Sequence, residues 1–248
     1  MIQVYDGVTL SHYYLNNHVR SSTAILVFTR TPGEEVHNKT FTEARSSGIN
    51  LSISAHFINR TIREVKRSRI PYFIISSDKQ HGNSFGERLS NAFSEVFALG
   101  FERVIAVGND APQLNASLLQ SAAQSLIEKE LVLGPDQRGG TYLIGISKSC
   151  FKTETLKQFS WNTTELFSDF ICWSNNSSLD VEILAELTDV NTIADFNRLL
   201  RNKKIAISLL QQLQSIIASS IVSVVESSIQ FYIPYCRYAL ARRGPPSF

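Results

Sequence analysis

The alternation of short apolar runs with helical patterns between residues 23 and 200 constrains the fold most. The runs are rich in Val, Ile and Leu and lack polar alternation, which is typical of strands covered on both faces. They occupy residues 23–29, 72–77, 104–107, 131–135 and 141–146. Strands alternating with helices imply right-handed crossovers. The sequence therefore predicts an α/β fold, with a mostly parallel sheet and helices on both faces.

The chain divides into three predicted parts. Residues 1–22 show little periodicity and form an N-terminal extension, and residues 23–200 form the main domain. Residues 201–248 form an appendage, in which apolar residues recur at three- and four-residue steps: Ala206, Leu210, Leu213, Ile217, Ile221 and Val224. This spacing predicts an amphipathic helix within residues 204–233, although the β-branched residues after Ile216 leave a strand open there. The helix is expected to pack on the main domain or to pair across a homodimer.

Charge and cysteine content exclude several classes of protein. The net charge is +2, and the basic residues from Arg201 onward are spread out without interleaved aromatic residues, so no nucleic-acid partner is expected. Cys150, Cys172 and Cys236 lack a CxxC spacing, which argues against a disulfide framework or a zinc site. The sequence has no signal-peptide pattern and no apolar run long enough to span a bilayer. These features predict a cytoplasmic protein with reduced thiols.

Asp110 follows the apolar run at residues 104–107 and a turn formed by Gly108 and Asn109. In open α/β sheets, ligands bind outside the carboxyl ends of the strands. A carboxylate at such a position can hold a divalent cation against the phosphates of a ligand. A structural alternative is that Asp110 caps the helix that begins near Asn115, and the local pattern does not decide between the two.

Two further segments have phosphate-binding features. Residues 30–39 form a predicted polar loop after the first strand, where Arg30, Lys39 and backbone N–H groups could hold phosphate. Gly139 and Gly140 lie in a predicted turn between two strands. Paired glycines there indicate a positive φ or a ligand that presses close to the backbone, and a plain hairpin turn explains them almost as well.

The order of the short motifs resembles that of one bacterial family. The motifs are the strand and Thr-Arg-Thr-Pro at residues 23–32, Gln-x-Gly-x-x-x-Gly-Glu-Arg-Leu at 80–89, Gly-Asn-Asp-x-Pro at 108–112, the glycine hairpin at 133–145, Ser-Trp-Asn-Thr at 160–163 and Asp-Val-Asn-Thr at 189–192. Together they resemble bacterial glycosyltransferases with a nucleotide-diphospho-sugar transferase (GT-A) fold, which are related to the phospholactate guanylyltransferases. The resemblance covers about residues 23–200.

The resemblance implies a site for a nucleoside diphosphate-sugar or a nucleoside triphosphate, with Mg²⁺ or Mn²⁺ and an acceptor that the sequence does not identify. The residues that it implies are Asp110, Arg30 and Lys39 for catalysis, Arg30, Thr31, Gln80, Gly82, Gly139 and Gly140 for the nucleotide, and Asp110, Asp189 and Asn191 for the metal. The expected activity is metal-assisted glycosyl transfer, with nucleotidyl transfer as the alternative.

The chain departs from the family pattern at charged positions. Glu34 and Glu35 lie in the phosphate loop, and the Lys-Thr-Arg run of the family is broken after Thr40. Arg138 stands where an acid is expected before the two glycines, although Asp136 is two residues away, and Asn191 replaces a second acid. These changes weaken attraction for metal and phosphate. A degenerate protein of this fold, which serves as a binding or interaction surface, is therefore the competing hypothesis.

Overall fold

The structure is a computed structural model that describes residues 22–42, 47–202, 207 and 209–218. Its strands are β1 (Thr23–Thr29), β2 (Tyr72–Ser76), β3 (Arg103–Val107), β4 (Leu131–Pro135), β5 (Thr141–Ser147) and β6 (Val181–Ile183). Its helices are α1 (Pro32–Asn38), α2 (Ser47–Ser68), α3 (Phe85–Ala98), α4 (Ala116–Glu128), α5 (Thr153–Lys157), α6 (Leu166–Asn176) and α7 (Ile193–Arg201). Residues 209–218 are also helical.

The strands form one sheet in the order β2-β1-β3-β5-β4-β6. All of its pairings are parallel except those of β5, which runs antiparallel to both β3 and β4. The antiparallel strand follows from the short turn at residues 136–140, because a parallel neighbour would need a much longer crossover. The predicted α/β fold with a mostly parallel sheet is confirmed.

Each strand of the sheet centre contributes side chains to two apolar layers. In β1, Leu26 belongs to the layer under α3 and α6, whereas Ile25 and Val27 belong to the layer under α2 and α4. Val104 and Ile105 of β3 divide between the layers in the same way. Successive side chains of a strand point to opposite faces, so a continuous apolar run requires cover on both faces. The helices therefore lie on both sides of the sheet, as predicted.

A third apolar cluster joins α2, α7 and the helical residues 209–218. Leu209 and Leu213 are buried there with Phe41, Ile53 and Phe196. The remainder of the predicted helix at residues 204–233 lies outside the described residues, apart from residue 207, and so does nearly all of the predicted extension at residues 1–22. The three-part division and the homodimer therefore stay predictions.

Residues 30–39 correct one prediction, because most of this segment is helix α1 and not a loop. The Thr31 side chain caps the helix by accepting from the Glu34 backbone N–H, and Pro32 occupies the start of the helix, where its missing N–H and fixed φ are favourable. Glu34 and Glu35 lie in the first turn, where negative charge stabilises a helix. The two acids that break the family pattern therefore also favour the helix.

The sequence also predicts a helix that opens with a capping-box pattern of Ser84 and Glu87, and a helix that starts at Thr192, and the structure confirms both helix starts. The Ser84 side chain accepts from the Glu87 backbone N–H at the start of α3, although the Glu87 carboxylate reaches the Asn83 N–H instead of closing a capping box. Thr192 and Asp195 do form a capping box at the start of α7. Asn115 caps α4 through its own side chain, so the alternative role of Asp110 as the cap of that helix is wrong.

Candidate functional site

A cleft with a volume of about 750 Å³ opens at the carboxyl ends of β1, β2, β3 and β4. Since β5 is antiparallel, it contributes its first residues, starting at Thr141, to the same edge. The volume lies within the range of about 300–1,000 Å³ that is usual for ligand sites. The predicted residues that line the cleft are Arg30, Lys39, Gln80, Asp110, Gly140, Asp189 and Asn191.

Three predicted site residues do not line the cleft. Thr31 is the N-cap of α1, and its backbone N–H donates to Ser77 Oγ over 3.0 Å. Gly82 has a φ of 139° and packs against the start of α3. Gly139 has a φ of 84°, and a side chain there would collide with the Thr164 carbonyl. Their observed roles are structural, and binding roles for them stay predictions.

Lys39 connects the first helix to the strand-end acid. Its Nζ lies 2.7 Å from Glu35 Oε1 and forms an ion pair with Asp110 Oδ1. The Lys39 side chain is almost completely buried. Burial alone would lower the pKa of Lys39, but Asp110 and Glu35 raise it above its ordinary value. Lys39 therefore remains a cation between two carboxylates.

Glu35 lies in the wall of the cleft but is neutralised by its neighbours. Besides Lys39, its carboxylate contacts Arg30 Nη1 at 3.3 Å and accepts from Asn109 Nδ2 at 3.2 Å. Burial would raise the pKa of Glu35, but Lys39, Asn109 and Arg30 together lower it. The two predicted phosphate cations are thus paired within the protein, and a phosphate would have to compete with Glu35 for them.

Asp189 interacts with two further carboxylates of the cleft, those of Asp110 and Asp136. Asp136 follows β4, and its Oδ1 accepts from the backbone N–H groups of Arg138 and Gly140 at 2.6 and 2.9 Å. Asp189 lies beside Asp110, since the Val190 N–H donates to the Asp110 carbonyl over 2.8 Å. Burial and then the charges of Asp110 and Asp136 raise the pKa of Asp189 to about 8. Such mutual repulsion is what a divalent cation relieves.

A second observation also indicates that Asp110, Asp136 and Asp189 could hold a divalent cation. Asp189 Oδ1 is buried, and no residue in the described part of the chain donates a hydrogen bond to it. A buried carboxylate oxygen without a donor is unfavourable unless a ligand completes it. Across the described parts of the chain, no cluster of three or more His, Cys, Asp or Glu side chains is already arranged as a metal site. The fit therefore rests on donor chemistry, with Asp110, Asp136 and Asp189 as the donors.

Asp136 is not among the metal residues expected from the sequence, although it lies two residues before Arg138. The signal was available, because Asp136 follows an apolar strand just as Asp110 does. Asn191 lines the cleft, but its described contact is a backbone one: its N–H donates to Asp195 Oδ2 over 3.2 Å. Arg138 also lines the cleft and forms an ion pair with the buried Asp195. Arg138 is thus paired within the protein, and the acid that contacts the glycine turn is Asp136.

Gln80 holds together the part of the cleft wall that is formed by the ends of β1 and β2. Its Nε2 donates to the carbonyls of Thr29 and Ile75 at 2.9 and 3.2 Å, which ties together the ends of β1 and β2. Asn109 is buried beside it, where its Oδ1 accepts from the Thr29 hydroxyl at 2.8 Å. Beyond Gln80 the cleft is lined by aromatic rings, with Phe85 5.2 Å from Trp161 and 5.6 Å from Phe28 between ring centroids. The cleft therefore has a charged part and an aromatic part.

Together, the sheet order and the strand-end cleft define an α/β protein with a nucleotide-diphospho-sugar transferase-like fold. The family model described as an uncharacterized protein conserved in bacteria (DUF2064) matches residues 63–163. A solved structure described as a "putative nucleotide-diphospho-sugar transferase" from Desulfovibrio desulfuricans G20 superimposes with a TM-score of 0.70 at 24% identity, covering 81% of this chain and 98% of that one. The resemblance inferred from the sequence is confirmed at the level of the fold.

Two more distant structures were also found. One is a cytidylyltransferase from Leptospira borgpetersenii, at a TM-score of 0.41 and 12% identity, covering 79% of this chain and 96% of that one. The other is a manganese complex of a Mycobacterium tuberculosis protein, at a TM-score of 0.40 and 12% identity, covering 71% and 97%. Such TM-scores support no inference about this chain. No functionally curated protein matches the sequence.

None of the helices in the described ranges is both long enough and apolar enough to cross a bilayer.

Proposed function

We propose that this protein is a metal-assisted glycosyltransferase that uses a nucleoside diphosphate-sugar. The observation that carries the proposal is the meeting of Asp110, Asp136 and Asp189 at the strand ends, with an unpartnered buried oxygen on Asp189. The fold, which is that of nucleotide-diphospho-sugar transferases, supports it.

The three carboxylates would hold Mg²⁺ or Mn²⁺. When bound, such an ion neutralises the diphosphate and stabilises the leaving nucleoside diphosphate. Arg30 and Lys39 would then turn from Glu35 and Asp110 towards the phosphates, where a cation stabilises the charge that grows on the leaving group. Gln80 and Asn109 hold the ends of β1, β2 and β3 together, so that these charged side chains start from fixed positions.

Nucleotide binding is tested first. A transferase should bind a nucleotide together with a metal, whereas a degenerate protein of this fold need not. A calorimetric screen would compare nucleoside diphosphate-sugars of different bases with nucleoside triphosphates, each with and without Mn²⁺. A ligand at 100 times its Kd should stabilise the protein by about 2.7 kcal/mol. Asp110→Asn should lose this metal-dependent binding. The exposed Asp180→Asn should keep it, because Asp180 forms only a surface ion pair with Lys129 at 3.8 Å.

The product identifies the reaction. Release of nucleoside diphosphate from a nucleotide-sugar would support glycosyl transfer. Release of pyrophosphate from a triphosphate would show nucleotidyl transfer, which the same cations, Arg30 and Lys39, would also serve. If the wild-type protein binds no nucleotide in the presence of Mn²⁺, the proposal fails, and the ion pairs of Glu35 with Arg30 and Lys39 then describe a degenerate site.

A further inference from the structure

Four cationic side chains line the cleft, and three of them have a carboxylate partner. Arg30 pairs with Glu35, Lys39 pairs with Glu35 and Asp110, and Arg138 pairs with Asp195. The fourth, Arg88, has no ion pair with any residue that the structure describes. Its Nε is buried and has no hydrogen-bond acceptor among the described residues. A buried hydrogen-bond donor without an acceptor is energetically unfavourable. A ligand group that accepts a hydrogen bond from Arg88 would remove this cost.

Arg88 belongs to the inward side of α3 and not to its solvated side. Phe85, Arg88 and Leu89 are spaced by three and four residues, and all three line the cleft. Further along the same side, Ala92 and Val96 are buried in the apolar layer. An arginine within such a stripe displaces an apolar residue that would pack there. Packing therefore does not explain a guanidinium at this position.

The surroundings of Arg88 define the kind of group that it could hold. Phe85 lies one helical turn before Arg88, and its ring packs on those of Phe28 and Trp161, which gives this part of the cleft an apolar lining. Lower local dielectric strengthens the attraction between opposite charges. A guanidinium offers two parallel N–H donors, which match the oxygens of a carboxylate or a phosphate.

We propose that Arg88 binds an anionic group, a carboxylate or a phosphate, carried by the part of the ligand that occupies the aromatic end of the cleft. This group is distinct from the diphosphate assigned to Asp110, Asp136 and Asp189. The inference deepens the proposed function, on which it rests for the identity of the rest of the ligand. If Arg88 has this role, either the transferred sugar or the acceptor carries a carboxylate or a phosphate group.

Small aromatic probes test Arg88 without any nucleotide. Benzoate, phenyl phosphate and benzamide share a ring and differ in the charge and shape of their polar group. Calorimetric titration at constant ionic strength should give the wild-type protein a Kd for benzoate or phenyl phosphate at least tenfold lower than that for benzamide. The anion that binds more tightly identifies the group as carboxylate or phosphate.

Variants assign the preference to Arg88. Arg88→Met should abolish the tenfold preference, and Arg88→Lys should retain part of it because the charge remains. Arg198→Met is the matched control, because Arg198 is exposed on α7, does not line the cleft and carries the same charge. This control should bind the three probes like the wild-type protein.

Equal binding of the charged and neutral probes by the wild-type protein would overturn the proposal, and so would failure of every probe to bind. An anion preference that survives in Arg88→Met would also overturn it. If Arg88→Met does not fold, the wild-type comparison and Arg88→Lys decide. Nucleotide binding with Mn²⁺ is measured separately. Its failure, alongside an intact probe preference, would count against the proposed transferase and not against Arg88.

Discussion

Lys39 lies between Glu35 and Asp110 in the cleft and forms an ion pair with each. If the proposed function holds, Asp110 is also a ligand of the metal. A divalent ion would then compete with Lys39 for Asp110, whereas a bound phosphate would draw Lys39 away from both acids. Lys39 would therefore oppose the binding of metal alone and favour the binding of metal and phosphate together.

Lys39→Gln should consequently change the two affinities in opposite directions. Mn²⁺ alone should bind several-fold more tightly, because Asp110 loses its competing cation. A nucleotide in the presence of Mn²⁺ should bind at least tenfold more weakly, corresponding to about 1.4 kcal/mol. Calorimetric titration of each ligand measures both values.

The control removes the buried acid together with the cation. Lys39→Gln alone leaves Glu35 buried with less compensation, which by itself is destabilising. The double variant Glu35→Gln/Lys39→Gln should recover most of the lost stability while keeping the changed affinities. If both ligands weaken equally in the double variant, Lys39 does not compete with the metal.

Asp189 makes the stability of the metal-free protein depend on pH. Its folded-state pKa of about 8 exceeds the ordinary value of 3.8, because of burial and the charges of Asp110 and Asp136. The folded protein then binds this proton more tightly than the unfolded chain does. The stabilisation from this group is complete below pH 3.8 and is lost as pH rises through about 8.

Asp189→Asn should therefore stabilise the metal-free protein at pH 8.5 by roughly a few kcal/mol and change little near pH 4, since one pKa unit corresponds to about 1.4 kcal/mol. Urea denaturation at a series of pH values in the presence of a chelator measures the difference between variant and wild type. The same variant should bind Mn²⁺ more weakly. A variant that is less stable than the wild type at pH 8.5 would contradict this account.

Among the structural elements, the turn between β4 and β5 positions Asp136. The Asp136 carboxylate accepts from two backbone N–H groups within the turn, and Gly139 provides the positive φ that closes it. The Gly140 Cα faces the Asp136 carboxylate so closely that a side chain would displace it. Gly139 and Gly140 are therefore required by the turn, by the neighbouring Thr164 carbonyl and by the Asp136 carboxylate. The groups that lie close to their backbone belong to the protein, so no ligand is needed to explain the two glycines.

Gly139→Ala should destabilise the protein by about 1–3 kcal/mol or more, because a residue with a side chain is strained at this φ and would also meet the Thr164 carbonyl. Gly33→Ala is the matched control within α1, where the added carbon would meet no described atom within 4 Å apart from its chain neighbours and the backbone of its own helix. This control should be neutral or stabilising by up to about 1 kcal/mol. Equilibrium urea unfolding compares the two variants.

At the scale of the whole molecule, the third cluster attaches the C-terminal helical residues to α2 and α7. Leu213 is completely buried, whereas Ile207 is 72% exposed. Leu213→Ala should therefore destabilise the protein by about 2–5 kcal/mol, as buried leucines do. Ile207→Ala should change stability by less than about 0.5 kcal/mol. Thermal and urea unfolding would reveal the contrast, and equal effects would argue against packing of this segment.

Deletion of residues 204–248 tests the same contact more severely. It would uncover Phe41, Ile53 and Phe196 in the third cluster. Exposed apolar patches promote association, so aggregated or unfolded protein is expected. Sedimentation of the full chain would show at the same time whether it forms the predicted homodimer. A monomeric truncation with an unchanged melting temperature would show that residues 204–248 are an independent appendage.

Features that depend on local periodicity and sterics can be predicted from the amino-acid sequence alone. The apolar runs predicted the strands, and Ser84, Asn115 and Thr192 marked the starts of helices that the structure confirms. Asp110 could be predicted as a site residue because the buried strand and the polar turn after it are visible in a few consecutive residues. The exception is α1, where glycine and charged residues suggested a loop, but a cap, a proline and two acids at its first turn favour a helix.

Contacts between residues far apart in the chain arise only when the whole sheet has formed. The pairing of Lys39 with Asp110 joins residues 71 positions apart, and that of Arg138 with Asp195 joins residues 57 apart. Such contacts depend on the strand order, which places β5 between β3 and β4. The short turn accounts for the pairing of β5 with β4, but the position of β5 next to β3 is a property of the whole sheet that no local pattern encodes. For the same reason, the sequence alone does not show that Arg88, unlike the other cations of the cleft, has no carboxylate partner in the described part of the chain.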